Sequence, residues 1–184
     1  FVNPPNAAGI GVTDYEGNAT VSYNVNGLGV GDHNLFAQYS GSPIYNPSDD
    51  SNLLGVSYLF GGFQQPINGD GTSVFGNGRV IPVKIRVADA NGQPVATAAP
   101  RVYVTQYSAA LGLGADLEPA TSVSAADTCN VMRYDPTAGQ YIYNWDLSEL
   151  SNGTYAVVVD LGDSAACSQG PYYAVITVAK KKNK

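Results

Sequence analysis

The chain of 184 residues is long enough for one large domain or two small ones, carries a formal net charge of −6, and has only 13% charged residues, about half the usual quarter. No apolar run approaches the ~18 residues of a membrane-spanning helix and no heptad register points to a coiled coil. The first 78 residues hold no Lys or Arg, a balance that repels phosphate backbones and argues against a nucleic-acid partner. One His and three Glu leave little material for catalysis, while 44% hydrophobic content is enough to build a core. The chain opens on Phe1 without a basic-then-apolar secretory signal, which fits a removed leader or a piece of a longer polypeptide.

Nearly every periodic segment has period two. The stretch Gly17 to Tyr23 reads as a strand, followed by a Leu28-x-x-Gly31 turn and a second strand through Leu35, Ala37 and Tyr39. Gly61-Gly62 reads as a hinge. Val83, Ile85 and Val87 then alternate with Pro82, Lys84 and Arg86, as in a strand with one buried face. Val102 and Val104 continue the pattern. Ser108 to Thr128, rich in Ala, Ser and Gly, reads as a long loop with at most one helical turn near Leu117. Tyr141, Tyr143 and Trp145 form an inward set, with Trp145 as the buried core aromatic; Tyr155, Val157, Val159 and Leu161 form another. The last strand runs from about Tyr172 to Val178. Turns of Ala90-Asn91-Gly92, Asp135-Pro136, Ser151-Asn152-Gly153 and Leu161-Gly162-Asp163 separate these runs, the pattern of an all-β sandwich.

The two halves are related by an offset of 122 residues: Gly17–Tyr23 falls on Gly139–Trp145, and Leu28 to Tyr39 falls on Leu150 to Leu161 without a gap. The second copy has about 75 residues of its own domain before Gly139, starting near Phe63, whereas the first lacks roughly sixty residues before Phe1. A sandwich fragment of three or four strands leaves an open edge and an uncovered apolar face. The expectation is therefore a chain cut from a longer polypeptide, or missing strands supplied by another subunit through strand complementation.

Leu-x-x-Gly-x-Tyr/His resembles the tyrosine corner of immunoglobulin-like sandwiches, in which a ring at the start of a strand bonds back to the preceding corner. Tyr155 and His33 occupy the ring positions as structural residues. Gly17 to Tyr58 further resembles bacterial immunoglobulin-like repeats of the Big_3 type, through Gly17-Asn-Ala-Thr-Val21, Leu28-x-x-Gly31-x-His33 and Ala37-Gln-Tyr-Ser-Gly-Ser-Pro-Ile-Tyr-Asn-Pro-Ser48, with Ser42 where an Asp is usual. Gly61 to Lys180 resembles the PxKF domain. Its motifs are Arg79-Val-Ile-Pro82-Val-Lys84-Ile85, with Ile85 for Phe, and Tyr134-Asp-Pro-Thr-Ala-Gly139-Gln-Tyr141-x-Tyr143-x-Trp145. These resemblances imply an all-β, immunoglobulin-like fold with one incomplete domain (1–60), a hinge (61–62), a complete domain (63–180) and a basic tail (181–184). They also imply a secreted or surface-attached stalk, spacer, adhesion or assembly module with no catalytic residues.

The remaining chemistry is sparse. Cys129 and Cys167 lie 38 positions apart, a spacing that fits no zinc or CxxC motif; in an exported protein the pair reads as a disulfide, the alternative being two buried thiols that never meet. Asp49-Asp50, in a turn, and Asp70, in Asn68-Gly-Asp70-Gly71, are weak calcium candidates, since the same residues are ordinary turn formers. No other metal or cofactor is expected. Asn18-Ala-Thr20 and Asn152-Gly-Thr154 are glycosylation triplets. Lys84 would allow an isopeptide crosslink only if buried beside an Asn or Asp; alternation turns it outward. Tyr45, Tyr58, Tyr107 and either Tyr172 or Tyr173 are contact candidates for neighbouring domains or subunits, or for stacking on carbohydrate. The resulting expectation is a non-catalytic extracellular or cell-surface structural module. The rivals are an accessory carbohydrate- or protein-binding module of a secreted enzyme and a filament subunit completed by donated strands.

Overall fold

A computed structural model describes residues 9–25, 28–163 and 171–180, and every regular element among them is a β-strand. Two strands come first, β1 (Gly31–Tyr39) and β2 (Ser48–Val56), and among the described residues they pair only with each other. The rest form a β-sandwich. One sheet has the order β3-β5-β10-β9, from β3 (Leu59–Gln64), β5 (Val80–Ala88), β10 (Gln140–Asp146) and β9 (Arg133–Asp135). The other has the order β4-β12-β11-β6, from β4 (Ser73–Gly76), β12 (Tyr172–Ala179), β11 (Gly153–Asp160) and β6 (Arg101–Ser108). The short β7 (Gly112–Leu113) and β8 (Glu118–Pro119) also pair with β6. All these pairings are antiparallel except β4 with β12, which run parallel.

The core is the space between the two sheets, and period two fills it. Val83, Ile85 and Val87 of β5, Tyr141, Tyr143 and Trp145 of β10, and Val157 and Val159 of β11 are all buried in one cluster. Central strand β11 is covered on its other face too. Val158, which alternation turns away from the core, is buried as well, because Tyr103 of β6 and Tyr173 of β12 flank it in register.

Several sequence expectations need correction. The stretch Gly17–Tyr23 forms no strand. Its counterpart by the 122-residue offset is β10, which is held between β5 and β9, and no strand with those roles flanks 17–23 among the described residues. Without ladder partners it makes only an irregular turn, in which Asp14 N donates to Asn18 O and Gly17 N to Asp14 O. Leu117 is not helical; it immediately precedes β8, and the 108–128 segment is laid along the edge of β6, where Gly114 N donates to Gln106 O and Ala120 N to Val102 O.

Gly61-Gly62 is not a free hinge but a bulge within β3, where the register against β5 shifts between Phe60 and Phe63. A side chain at Gly61 would come within 2.8 Å of Arg86 Cβ, and Gly62 has φ +83°, so both positions favour glycine. The sandwich accordingly begins before the expected boundary. Tyr58 N donates to Asp163 Oδ2 at 2.9 Å, and the Phe60 ring stacks on Tyr172 at 4.3 Å. Residues 181–184 of the basic tail lie outside the described residues.

Candidate functional site

The two ring corners have matching geometry. Tyr155 Oη donates to Ser151 O at 3.2 Å, and His33 Nε2 lies 2.7 Å from Gly29 O. A carbonyl only accepts, so Nε2 carries the hydrogen in that contact. Adding 122 to 29 and 33 gives 151 and 155, and the correspondence continues through the hairpins: Gly31 pairs with Val56 as Gly153 pairs with Val178. Tyr155→Phe keeps the buried ring and deletes one half-buried hydrogen bond, so it is expected to lower stability by about 1 kcal/mol, read from the urea midpoint at constant m-value.

The surroundings of the two hairpins differ. Val157 of β11 is fully buried, whereas Leu35, its counterpart in β1, is 46% exposed. Phe36 and Leu53 on the opposite face of the first hairpin are 65% and 54% exposed. Two-stranded ladders of this kind are marginal in isolation.

A second cluster of polar contacts fastens the 119–132 segment to the sandwich. The fully buried carboxylate of Asp127 pairs with Arg133, accepts from Ser122 Oγ at 2.7 Å and from Asn144 N of β10 at 2.9 Å. Tyr143 Oη lies 2.6 Å from Ala120 O and 3.1 Å from Cys129 O. Asn130 Nδ2 donates to Val102 O of β6 at 3.1 Å, and Arg101 donates to Asn130 Oδ1. The sequence reading missed Asp127 and Asn130, because each lies in an aperiodic loop and finds its partners through folding. The one local signal is Asp127 six residues before Arg133.

Burial pushes the Tyr143 phenol up to about 12, with further contributions from the nearby Asp127 and Cys129. Burial likewise pushes Tyr141 up to about 12, partly opposed by the Ala98 backbone. Among the described residues Tyr141 Oη has no partner at hydrogen-bonding geometry. For an acid whose folded pKa is raised, the unfolded chain ionises first. Stability contributed by these tyrosines is therefore intact below their ordinary value of 10.0 and is lost as pH climbs from there to about 12. The urea midpoint is expected to fall across this window, and the Tyr141→Phe/Tyr143→Phe double variant to fall less steeply.

Three further features face solvent. Tyr107 and Tyr173 approach to 6.2 Å between ring centroids on the outer face of the β6–β11–β12 sheet, where Tyr103 also lies. A cleft of about 600 Å³ opens beside β6 and β8, lined in part by Trp145, Tyr155, Asp116, Glu118, Asp146 and Glu149. Cys129 is exposed, has φ 50° and forms no disulfide among the described residues; Cys167 lies outside them.

The calcium candidates do not converge. Asp49 and Asp50 are in strand β2, not in a turn, so alternation sends their carboxylates to opposite faces. Asp70 Oδ1 already accepts from Thr72 N at 3.0 Å and Thr72 Oγ1 at 2.7 Å, bonds that hold its carboxyl below the usual carboxylate range. Among the described residues no group of three or more His, Cys, Asp or Glu is placed to hold a metal ion. Asn18 and Asn152 are both exposed, and Lys84 is half-buried on the outward side of β5.

Among the described residues no helix is long and apolar enough to cross a membrane. No protein-family model matches the chain, and no curated protein compared with it matches either.

Proposed function

We propose that this chain is a non-catalytic, load-bearing extracellular module built from tandem immunoglobulin-like sandwiches, the first contributing its closing hairpin and the second a complete domain. The strand order supports the immunoglobulin-like reading. With β3, β5, β6, β9, β10, β11 and β12 as A, B, C, D, E, F and G, the sheets read A-B-E-D and C-F-G. The resemblances to Big_3-type repeats and the PxKF domain point the same way, as do the Gly- and Asn-rich turns and the low charge. Cell-surface or extracellular location, contacts with neighbouring domains or subunits, and a Cys129–Cys167 disulfide belong to the same proposal. A two-hydrogen mass gain on reduction tests the disulfide.

One observation carries the mechanical reading. The early strand β4 runs parallel to the final strand β12, pairing Ser73 with Ile176 through Gly76 with Ala179. Tension between the two ends of the sandwich loads this ladder along its length, so its hydrogen bonds resist together instead of opening one by one. Single-molecule pulling tests this. End-to-end pulling is expected to need a clearly higher rupture force than pulling through residues 72 and 175, which peels the same ladder from one end. Equal forces in the two geometries would overturn the load-bearing reading.

A second reading, an accessory carbohydrate-binding module, is favoured by the Tyr107–Tyr173 pair beside Tyr103. Polysaccharide affinity that disappears in Tyr107→Ala/Tyr173→Ala would establish it in place of the first.

A further inference from the structure

We propose that the free edge of β1 is a strand-acceptor site, and that its occupant is an extended segment with the chemistry of β6, added antiparallel. The proposal rests on the repeat reading above but not on the extracellular or mechanical role. The second copy supplies the template. There β11, the counterpart of β1, is paired on one side with β12 and on the other with β6. The hairpin β1–β2 reproduces the β11–β12 register at an offset of 122 residues, yet β1 has no strand on its other side among the described residues.

The template also sets the register. Val157 faces Val104 and Val159 faces Val102 in the second copy, so Leu35 and Ala37 would each face an aliphatic residue of the incoming strand. Val158 faces Tyr103, so the exposed Phe36 would meet an aromatic ring on the outer face. Ala156 faces Thr105, which puts a hydroxyl opposite Asn34. In the same register Arg101 faces Asp160, which puts a cation opposite Gln38, whose neighbour across the hairpin is Asp49. An unpaired edge with exposed Leu35 beside it is the arrangement that strand addition completes, with main-chain bonds giving affinity and alternate side chains giving selectivity.

The probe is a synthetic peptide with the sequence of Arg101–Ser108, added to the 184-residue chain while amide hydrogen exchange is followed by NMR. At about 1 mM peptide, exchange of β1 amides is expected to slow about tenfold or more, with the sandwich amides unchanged as the internal reference. A peptide with both valines replaced by Asp is expected to give no protection. Leu35→Asp in the chain, an exposed position outside the sandwich core, is expected to abolish protection by the native peptide. Absence of protection, or equal protection by the Asp-bearing peptide, would overturn the proposal. So would β1 protection that rises with chain concentration in the absence of peptide, because the occupant would then be a second copy. These readouts are separate from rupture force and sugar affinity, so this proposal and the mechanical reading can fail independently.

Discussion

Trp145→Ala is expected to cost about 3–5 kcal/mol of folding stability, the range for deleting a large aromatic from a core. The side chain is 1% exposed, sits opposite Ile81 on β5 and is in the same buried cluster as Tyr143 and Val157. Its removal loses contacts with both sheets at once. The wall beside it is lined by Glu118 and Pro119 at the cleft, where the 114–121 segment covers the β6 edge, so collapse of that segment offers only partial relief. Domains of this size are commonly stable by about 5–15 kcal/mol, so the variant should be close to unfolded in moderate denaturant. Far-UV circular dichroism in urea is the measurement, because this is the only tryptophan and its fluorescence disappears with it. A loss under about 1 kcal/mol would mean that the side chain is peripheral to the core.

Asp127→Ala is expected to cost about 3 kcal/mol, the lower part of the range for breaking a buried ion pair, since Arg133 is 37% exposed and water already weakens its contribution. The larger share comes from what the carboxylate leaves behind. Asn144 N and Ser122 Oγ both donate to it, and a buried donor without an acceptor is costly. Asp127→Asn keeps an acceptor oxygen but loses the charge, and should fall between the wild type and the alanine variant. Hydrogen exchange should also quicken in 119–132 before the rest of the sandwich opens, because this segment reaches β10 through Asp127 and Tyr143. Unchanged exchange there would show that the segment is held by its backbone bonds to β6 and to Asp146 N of β10 alone.

The contrast between Tyr141 and Asp127 explains which features were legible in the sequence. Tyr141, Tyr143 and Trp145 alternate with Ile142, Asn144 and Asp146, and a period of two is a local property of the chain that tertiary packing preserves. Asp127 bonds to Ser122 in its own segment, to Arg133 of β9 and to Asn144 of β10, and nothing in Ser-Ala-Ala-Asp-Thr-Cys announces them. Strands β3 and β4 went unread for a related reason. Leu59–Gln64 contains two glycines at a bulge, and Ser73–Gly76 is only four residues long, so neither displays a repeat. Gly17–Tyr23 failed in the opposite sense. It has the pattern of a strand, but a pattern becomes a ladder only when neighbouring strands accept its backbone bonds.

The sequence by itself determined the all-β class, the inward residues of the main sandwich strands, the two corner rings and the 122-residue repeat, because each is written in spacing along the chain. Only the tertiary structure decided that Gly61-Gly62 is a bulge inside the sandwich and that the two acidic residues of β2 point apart. It also decided that β4 and β12 run parallel and that, among the described residues, β1 pairs only with β2. These depend on which backbone lies alongside which, and hydrogen-bond partners far apart in the chain leave no mark in local periodicity.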